Sequence, residues 1–292
     1  MRLGRNQIVG GLIRCPLLCF VFFVILLSGC QRPPQLEDIA LFYTAIVQHD
    51  NAKVKNYIRT CKDIAKYEYK FEKQGNPAFF AASAGDINVL KTVVEAGASI
   101  NYHDDHGLTV LMAGIASRNP EIVAYLIKKG ANVDAVANNG TNVFHIAALC
   151  PNLGIAKMLI DKSSKNLDAP GSSNGTPLMG AIQSRAVDVC RLFIQHGAST
   201  DKAIEASWDF TCTMVGHKEN EILRLLIDGL QGKLSMRNKQ GENLLQIALA
   251  VKNYDVAILL APHIDDINTK DNNGETALIE AARDGDKQSI EA

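Results

Sequence analysis

The sequence is poor in charge and in aromatic residues. Asp, Glu, Lys and Arg make up 21% of the 292 residues, aromatic residues make up 6%, and the formal net charge is −1. Binding to a nucleic acid requires clustered basic charge that faces the phosphate backbone. We therefore expect no nucleic acid partner. The 47% of hydrophobic residues is enough to build a large buried core.

Sequence patterns that supply catalysis or hold cofactors are also scarce. There is no phosphate-binding loop of the Gly-x-x-x-x-Gly-Lys-Ser/Thr type, and we expect no nucleophilic Ser or Cys in a strand-to-helix turn. His103 and His106 flank two aspartates, but no further ligand stands at the spacing of a zinc site, so a solvated turn is favoured. We expect no enzyme, no cofactor, no metal and no small-molecule substrate.

The N-terminus has the composition of an export signal. Residues 1–14 carry three arginines and no acid, and Pro16 to Leu27 is an apolar run that is short for a membrane-spanning helix. The next residues, Leu27-Ser-Gly-Cys30, resemble the bacterial lipobox, in which a lipid is joined to the cysteine. The resemblance implies a signal peptide over residues 1–29 and lipidation of Cys30. The alternative is an uncleaved membrane anchor that happens to end in cysteine.

Residues 30–35 would then form a short tether. At roughly 3 Å per residue it reaches about 15 Å, which holds the folded chain against the membrane. Gln31, rather than Asp, follows the cysteine. The resemblance therefore implies a lipid-anchored protein that faces the periplasm from the outer membrane.

Four cysteines lie beyond this segment: Cys61, Cys150, Cys190 and Cys212. An exported protein can form disulfides, and Cys150–Cys190 and Cys190–Cys212 are the conceivable pairs. Free, buried thiols are favoured, because Cys190 lies in the apolar stretch 187–194.

A period of 33 residues organises the rest of the chain. Gly97-Ala98 and Gly130-Ala131 are 33 residues apart, and so are the turn glycines Gly107 and Gly140. After each turn an Ala-rich segment is followed by a segment rich in Ile, Val and Leu. This period predicts helix–turn–helix units that bury their apolar faces by stacking.

These residues, with Thr176-Pro-Leu-Met179 among them, resemble the ankyrin repeat, whose signature is Thr-Pro-Leu-His, then Ala, and later Gly-Ala. The resemblance implies an all-α ankyrin-repeat solenoid over residues 75–292, in six units of which the last is incomplete. Residues 36–74 are interpreted as a degenerate N-terminal capping repeat and a connector. Thr is expected to cap each first helix, and Gly to end each second helix. His145 stands at the His position, where the family residue bonds the backbone of neighbouring turns.

Two stretches depart from the pattern. The third unit ends Lys162-Ser-Ser-Lys165 instead of Gly-Ala, and the fifth unit, about Asp201 to Gly229, has lost the Thr-Pro-Leu sequence. The final unit stops at Ala292, which indicates either a fragment or a short last helix with an open apolar face.

The resemblance also implies a protein partner and the surface that binds it. Contacts in the family come from the turn tips and from the two positions after the Ala pair in each first helix. The tip residues are Asp105, His106, Asn138, Asn139, Ser172, Ser173, Lys239, Gln240, Asn272 and Asn273. The helix positions are Ser83, Ala84, Ala116, Ser117, Leu149, Cys150, Gln183, Ser184, Ala250, Val251, Arg283 and Asp284. Trp208 and Phe210 in the irregular fifth unit either anchor the partner or fill the core.

Two functions fit a membrane-tethered binding module. Ankyrin lipoproteins of this plan resemble immunity proteins, which capture a toxic effector such as a lipase of type VI secretion. The alternative is a docking or protective scaffold for a resident periplasmic enzyme or an envelope complex. The sequence leaves this choice open.

Overall fold

The structure, a computed structural model, describes residues 32–67, 76–172, 175–285 and 290. These residues form sixteen α-helices and no β-strand, so the predicted all-α stack is confirmed. The helices are α1 (Leu36–Val47), α2 (Asn51–Thr60), α3 (Pro77–Ala84), α4 (Ile87–Glu95), α5 (Val110–Ala116), α6 (Pro120–Lys128), α7 (Val143–Leu149), α8 (Leu153–Ile160), α9 (Pro177–Gln183), α10 (Val187–Gln195), α11 (Thr200–Ala206), α12 (Trp208–Gly216), α13 (Asn220–Asp228), α14 (Leu244–Ala250), α15 (Tyr254–Leu260) and α16 (Ala277–Asp284). Across these described ranges, no helix has both the length and the hydropathy needed to cross a bilayer.

Side-chain caps start the first helix of six units. In each of them a Thr hydroxyl or an Asn amide oxygen accepts the backbone N–H three residues later, which satisfies a donor that the helix itself leaves unpaired. The capping residues are Asn76, Thr109, Asn142, Thr176, Asn243 and Thr276. The capping role predicted for Thr is therefore confirmed in three units, and Asn takes it in the other three.

Small and aliphatic residues build a continuous core between these helices. Ala81 and Ala82 on α3 and Ala148 on α7 are fully buried. Ile122 and Leu126 on α6, in the unit between them, are also fully buried. First helices pack on first helices and second helices on second helices, as in α3 on α5 and α4 on α6. Each unit therefore packs its two helices on each other and buries the remaining apolar face against its neighbours.

The number of units differs from the prediction. Residues 77–285 contain six complete helix pairs and the first helix of a seventh, α16, instead of six units. The irregular fifth pair, α12 and α13, fills one full period although its signature is lost. The additional helix α11 precedes this pair and takes the place of the hairpin tip found in the other units.

Helix α11 is bonded to the units on both sides. The Asp168 carboxylate, in the preceding loop, accepts the Ser199 N–H at 2.8 Å. Asp201, in α11 itself, accepts the N–H groups of Gln231 at 3.2 Å and Gly232 at 3.0 Å. The row of first helices accordingly passes from α9 to α11 and then to α12.

The pair α1 and α2 precedes the regular stack, with α1 packed on α3 and α2 on α4. Arg32 is held beside the end of α2, because its N–H donates to the Thr60 carbonyl at 3.2 Å and its carbonyl accepts the Lys62 N–H at 2.8 Å. The Arg32 guanidinium also forms two 2.7 Å hydrogen bonds with Asp38 in the first turn of α1. The chain is thus fixed to the stack from residue 32 onwards.

Candidate functional site

The predicted tip residues within the described ranges are all exposed, and they form two groups. One group, at residues 104–107, 137–140 and 170–172, precedes α11, and the other, at 238–241 and 271–274, follows it. The exposed tip residues are Asp105, His106, Asn138, Asn139, Ser172, Lys239, Gln240, Asn272 and Asn273. Helix α11 therefore separates the tips into two groups at the fifth unit, for which no tip residue was predicted from the sequence.

Two of these tip residues link neighbouring tips to each other. The Asn138 side chain donates to the Asp105 carbonyl at 2.7 Å, and its backbone N–H donates to the His106 carbonyl at 2.9 Å. Asn272 repeats both contacts with Lys239 and Gln240, at 3.0 and 2.9 Å. Both asparagines thus hold the tips in register, and the residues beside them remain available to a partner.

The first-helix face is the second part of the candidate surface. We define it as the exposed position two residues after a buried Ala or Gly in the first helix of each unit other than the irregular fifth. Its members are Ser83, Ala116, Leu149, Gln183, Ala250 and Arg283. Leu149, in the third unit, is 57% exposed, whereas its neighbours Ala147 and Ala148 on the same helix are buried. It offers the apolar centre that a protein interface needs.

The expectation that Trp208 presents a contact surface does not match its position. Its side chain is 8% exposed and belongs to the core cluster, and among the described residues its indole N–H has no hydrogen-bond partner. Phe210 is half-buried and packs against the same core. Because α12 starts two residues early, Trp208 points into the stack where other units have a loop residue. The core alternative is therefore the one that fits Trp208.

His145 joins two turns, as the family resemblance implied. Its Nδ1 accepts the Asn142 N–H at 3.2 Å, so its Nε2 carries the proton that bonds the Gly175 carbonyl at 3.0 Å. Burial lowers the pKa of His145, although the bond to Gly175 opposes this. Gln246 makes equivalent contacts in the sixth unit. Its amide oxygen accepts the Asn243 N–H, and its amide nitrogen donates to the Glu275 backbone carbonyl. The position is structural in both units.

All four described cysteines are free thiols, as favoured over the disulfide alternatives. Cys61 and Cys190 are buried, whereas Cys150 and Cys212 are half-buried. Burial raises the pKa of Cys190 to about 12 and that of Cys212 to about 11. Both are therefore protonated and unreactive at neutral pH.

Gly171-Ser-Ser-Asn-Gly175 has the Gly-x-Ser-x-Gly pattern of a nucleophilic serine, although Ser173 itself lies outside the described residues. Such a serine directly follows a strand. Among the described residues, helix α8 and a loop precede the pattern, and Gly171 lies against the His145 ring. Across the described ranges, no three His, Cys, Asp or Glu residues group as metal ligands.

Several predicted residues lie outside the described residues. They are the segment 1–31 with Cys30, residues 68–75 of the predicted connector and repeat start, the tip residue Ser173, and residues 286–289, 291 and 292 of the last unit. The side chain of Asp284 is likewise outside the description.

A protein-family model described as ankyrin repeats matches residues 41–137, 134–204 and 211–292. These matches cover most of the chain, which therefore belongs to the ankyrin repeat family. Ankyrin repeats are in general protein–protein interaction modules and not enzymes. A binding surface made of tips and first-helix positions is consistent with this class.

Curated relatives share the repeats over part of their length. The chain is 28% identical to the phosphocholine transferase AnkX of Legionella pneumophila over 125 residues, which are 41% of this chain and 13% of that protein. It is 26% identical to an ankyrin repeat protein of Acanthamoeba polyphaga mimivirus over 189 residues, 61% of this chain and 24% of the relative. An ankyrin repeat-containing protein of Treponema pallidum is 28% identical over 133 residues, 44% of each chain. The chain thus spans less than half the length of each of these relatives.

Proposed function

We propose that the protein is a membrane-tethered, periplasmic binding module that captures a toxic effector, such as a lipase of type VI secretion, and neutralises it. The observation that carries the binding role is the first-helix face with Leu149 exposed at its centre. The Leu27-Ser-Gly-Cys30 sequence supports the membrane tether. A trap held at the membrane suits a toxin that attacks lipids.

Replacing Cys30 with Ser tests the tether. The variant should lose metabolic labelling with palmitate and remain unprocessed, because the thiol that accepts the lipid is gone. Unchanged labelling would refute lipidation at this position.

The immunity function is tested by competition between strains. Cells that lack the protein should be killed by siblings that deliver the toxin, and the wild-type gene should rescue them. Normal survival of the deletion strain would refute immunity and would support the docking-scaffold alternative. Co-purification of the tethered protein from its host, with mass spectrometry, identifies the partner in either case.

The binding face is tested with two leucines of equal exposure. Leu149→Ser should weaken partner binding by at least about tenfold, since it removes an apolar contact at the centre of the interface. Leu278→Ser is the matched control, because Leu278 is 58% exposed on α16 but lies outside the first-helix face. Equal affinity of both variants, measured by calorimetry, would mean that the partner binds elsewhere.

A further inference from the structure

The first helix pair carries a local excess of basic residues that the first-helix face does not use. Residues 53–66 contain five Lys or Arg residues and one acidic residue, in a chain with 30 basic and 31 acidic residues overall. The basic residues are Lys53, Lys55, Arg59, Lys62 and Lys66. A surface this uneven on a nearly neutral protein indicates a partner with negative charge.

Three of these five residues form what we call the basic edge: Lys55, Arg59 and Lys62. All three are exposed, and among the described residues no carboxylate forms an ion pair with them. Lys53 and Lys66, by contrast, pair with Asp50 at 2.9 Å and Asp63 at 2.7 Å. The basic edge therefore keeps its positive charge available.

The edge faces away from the stack. Helix α2 buries Val54 and packs against α1 and α4, which leaves Lys55 and Arg59 on its solvent side. Lys62 follows the helix directly. Among the described residues, α1 and α2 are the outermost pair of the stack, and no further helix pair packs on them from the other side.

The backbone enters the fold at this same edge. Arg32 lies between Thr60 and Lys62, held by backbone hydrogen bonds of 3.2 and 2.8 Å. The apolar run that ends at Leu27 and the candidate lipid site Cys30 lie immediately before it. Two residues reach about 7 Å and five residues about 17 Å, so a membrane attached at either point lies close to the basic edge.

We propose that the basic edge docks on an anionic phospholipid surface and orients the stack with its first helix pair at the membrane. This inference rests on the membrane attachment proposed above. Charges interact across about 8 Å at physiological ionic strength, which is comparable to the reach from Cys30 to Arg32. Basic residues beside a membrane anchor are attracted to anionic headgroups and add to the attachment.

The apolar residue Leu36 strengthens the membrane assignment over an acidic protein. It is 72% exposed in the first turn of α1, where the Arg32–Asp38 ion pair joins that turn to the entry point of the chain. Basic residues beside an exposed Leu match the boundary between lipid headgroups and acyl chains.

Lysine footprinting on the full chain tests the proposal. The protein is reconstituted through its own N-terminus into vesicles of phosphatidylcholine, with or without phosphatidylglycerol, and acetylation is followed by mass spectrometry. Lys55 and Lys62 should react at least about fivefold more slowly when phosphatidylglycerol is present, and salt should remove this protection. Lys157, Lys162 and Lys165, at the end of α8, are the internal controls and should react equally in both vesicles.

A pair of charge-matched variants sharpens the test. Lys55→Glu/Arg59→Glu/Lys62→Glu should abolish the protection of Lys53 and Lys66 by phosphatidylglycerol. Lys157→Glu/Lys162→Glu/Lys165→Glu makes the same change in net charge and should leave it intact. Circular dichroism checks that both variants are folded.

The outcomes separate this inference from the proposed attachment. A wild-type chain that does not associate with vesicles at all would refute the membrane attachment itself. A chain that associates, but whose Lys55 and Lys62 react equally in both vesicles, would overturn the basic edge alone. Protection that appears only after an acidic envelope protein is added would also overturn it.

Discussion

The third and fifth units differ in how their first helix begins and in what precedes it. In the third unit, Asn142 caps α7 and His145 bonds the next turn, so a short polar loop can end in a helix. In the fifth unit, Ser207 makes no such cap, and its hydroxyl donates instead to the Ala203 carbonyl of α11 at 2.6 Å. There, a helix and a buried Trp208 replace the loop.

This difference shows where each unit obtains its stability. The regular unit depends on a polar network of caps and inter-turn bonds, and little of that network tolerates substitution because each buried donor needs its acceptor. The irregular unit depends on apolar packing, with the Asp168 and Asp201 carboxylates as its links to the neighbouring loops. Removal of the residue that precedes the first helix should therefore lower the free energy of unfolding more in the third unit than in the fifth.

Truncation of Trp208 should have the largest effect. Trp208→Ala leaves a cavity in the fifth unit and should lower the free energy of unfolding by about 3–5 kcal/mol, measured by urea denaturation. Trp208→Phe should cost much less, because the indole N–H that it removes has no partner among the described residues. If Trp208→Ala unfolds at the same urea concentration as wild type, the side chain does not hold the unit together.

Removal of the caps should have an intermediate effect and should separate the two units directly. Asn142→Ala deprives two N–H groups of their acceptor and frees the Asn166 carbonyl, so it should cost about 2 kcal/mol. Ser207→Ala should cost less than about 1 kcal/mol, since the Ser207 N–H still bonds the Ala203 carbonyl. Equal costs would mean that Ser207 acts as a cap after all.

The regular units could be predicted from the sequence because each local signal agrees with the stack. The 33-residue spacing placed Thr109 and Thr176 at helix starts, and the signature assigned His145 its bond to a neighbouring turn. The caps bond N–H groups in the first turn of their own helix. The remaining contacts are made with neighbouring units of the same shape.

Helix α11 could not be predicted in the same way, and the sequence left open whether Trp208 fills the core or anchors a partner. Seven residues do not determine a helix by themselves, even with Ser199 as an N-cap, and α11 forms where it packs against α9 and α12. One signal was available nonetheless. A basic residue with a left-handed backbone follows the first helix in three successive units. These residues, which stand 33 and 34 positions apart, are Arg185, Lys218 and Lys252. Alignment on them places Phe210, not Trp208, at the usual helix start.

The smallest expected effect is a pH dependence that His145 adds to the third unit. Because burial lowers the pKa of His145, the folded chain binds fewer protons there than the unfolded chain, whose His has a pKa near 6.5. Stability from this site is therefore complete above about pH 6.5 and is lost as the pH falls towards the folded pKa. Protonation of Nδ1 would also break its contact with the Asn142 N–H.

Replacement of His145 by Gln tests this against the sixth unit, where Gln246 makes the same contacts without titrating. His145→Gln should match the wild type at pH 7.5 and lose less stability than the wild type between pH 7.5 and 5.5, by up to about 1 kcal/mol. Urea denaturation at both pH values gives the comparison, and the other histidines contribute equally to both proteins. If the two proteins lose the same stability, the titrating group lies elsewhere, and the polar network of the third unit tolerates a charged imidazole.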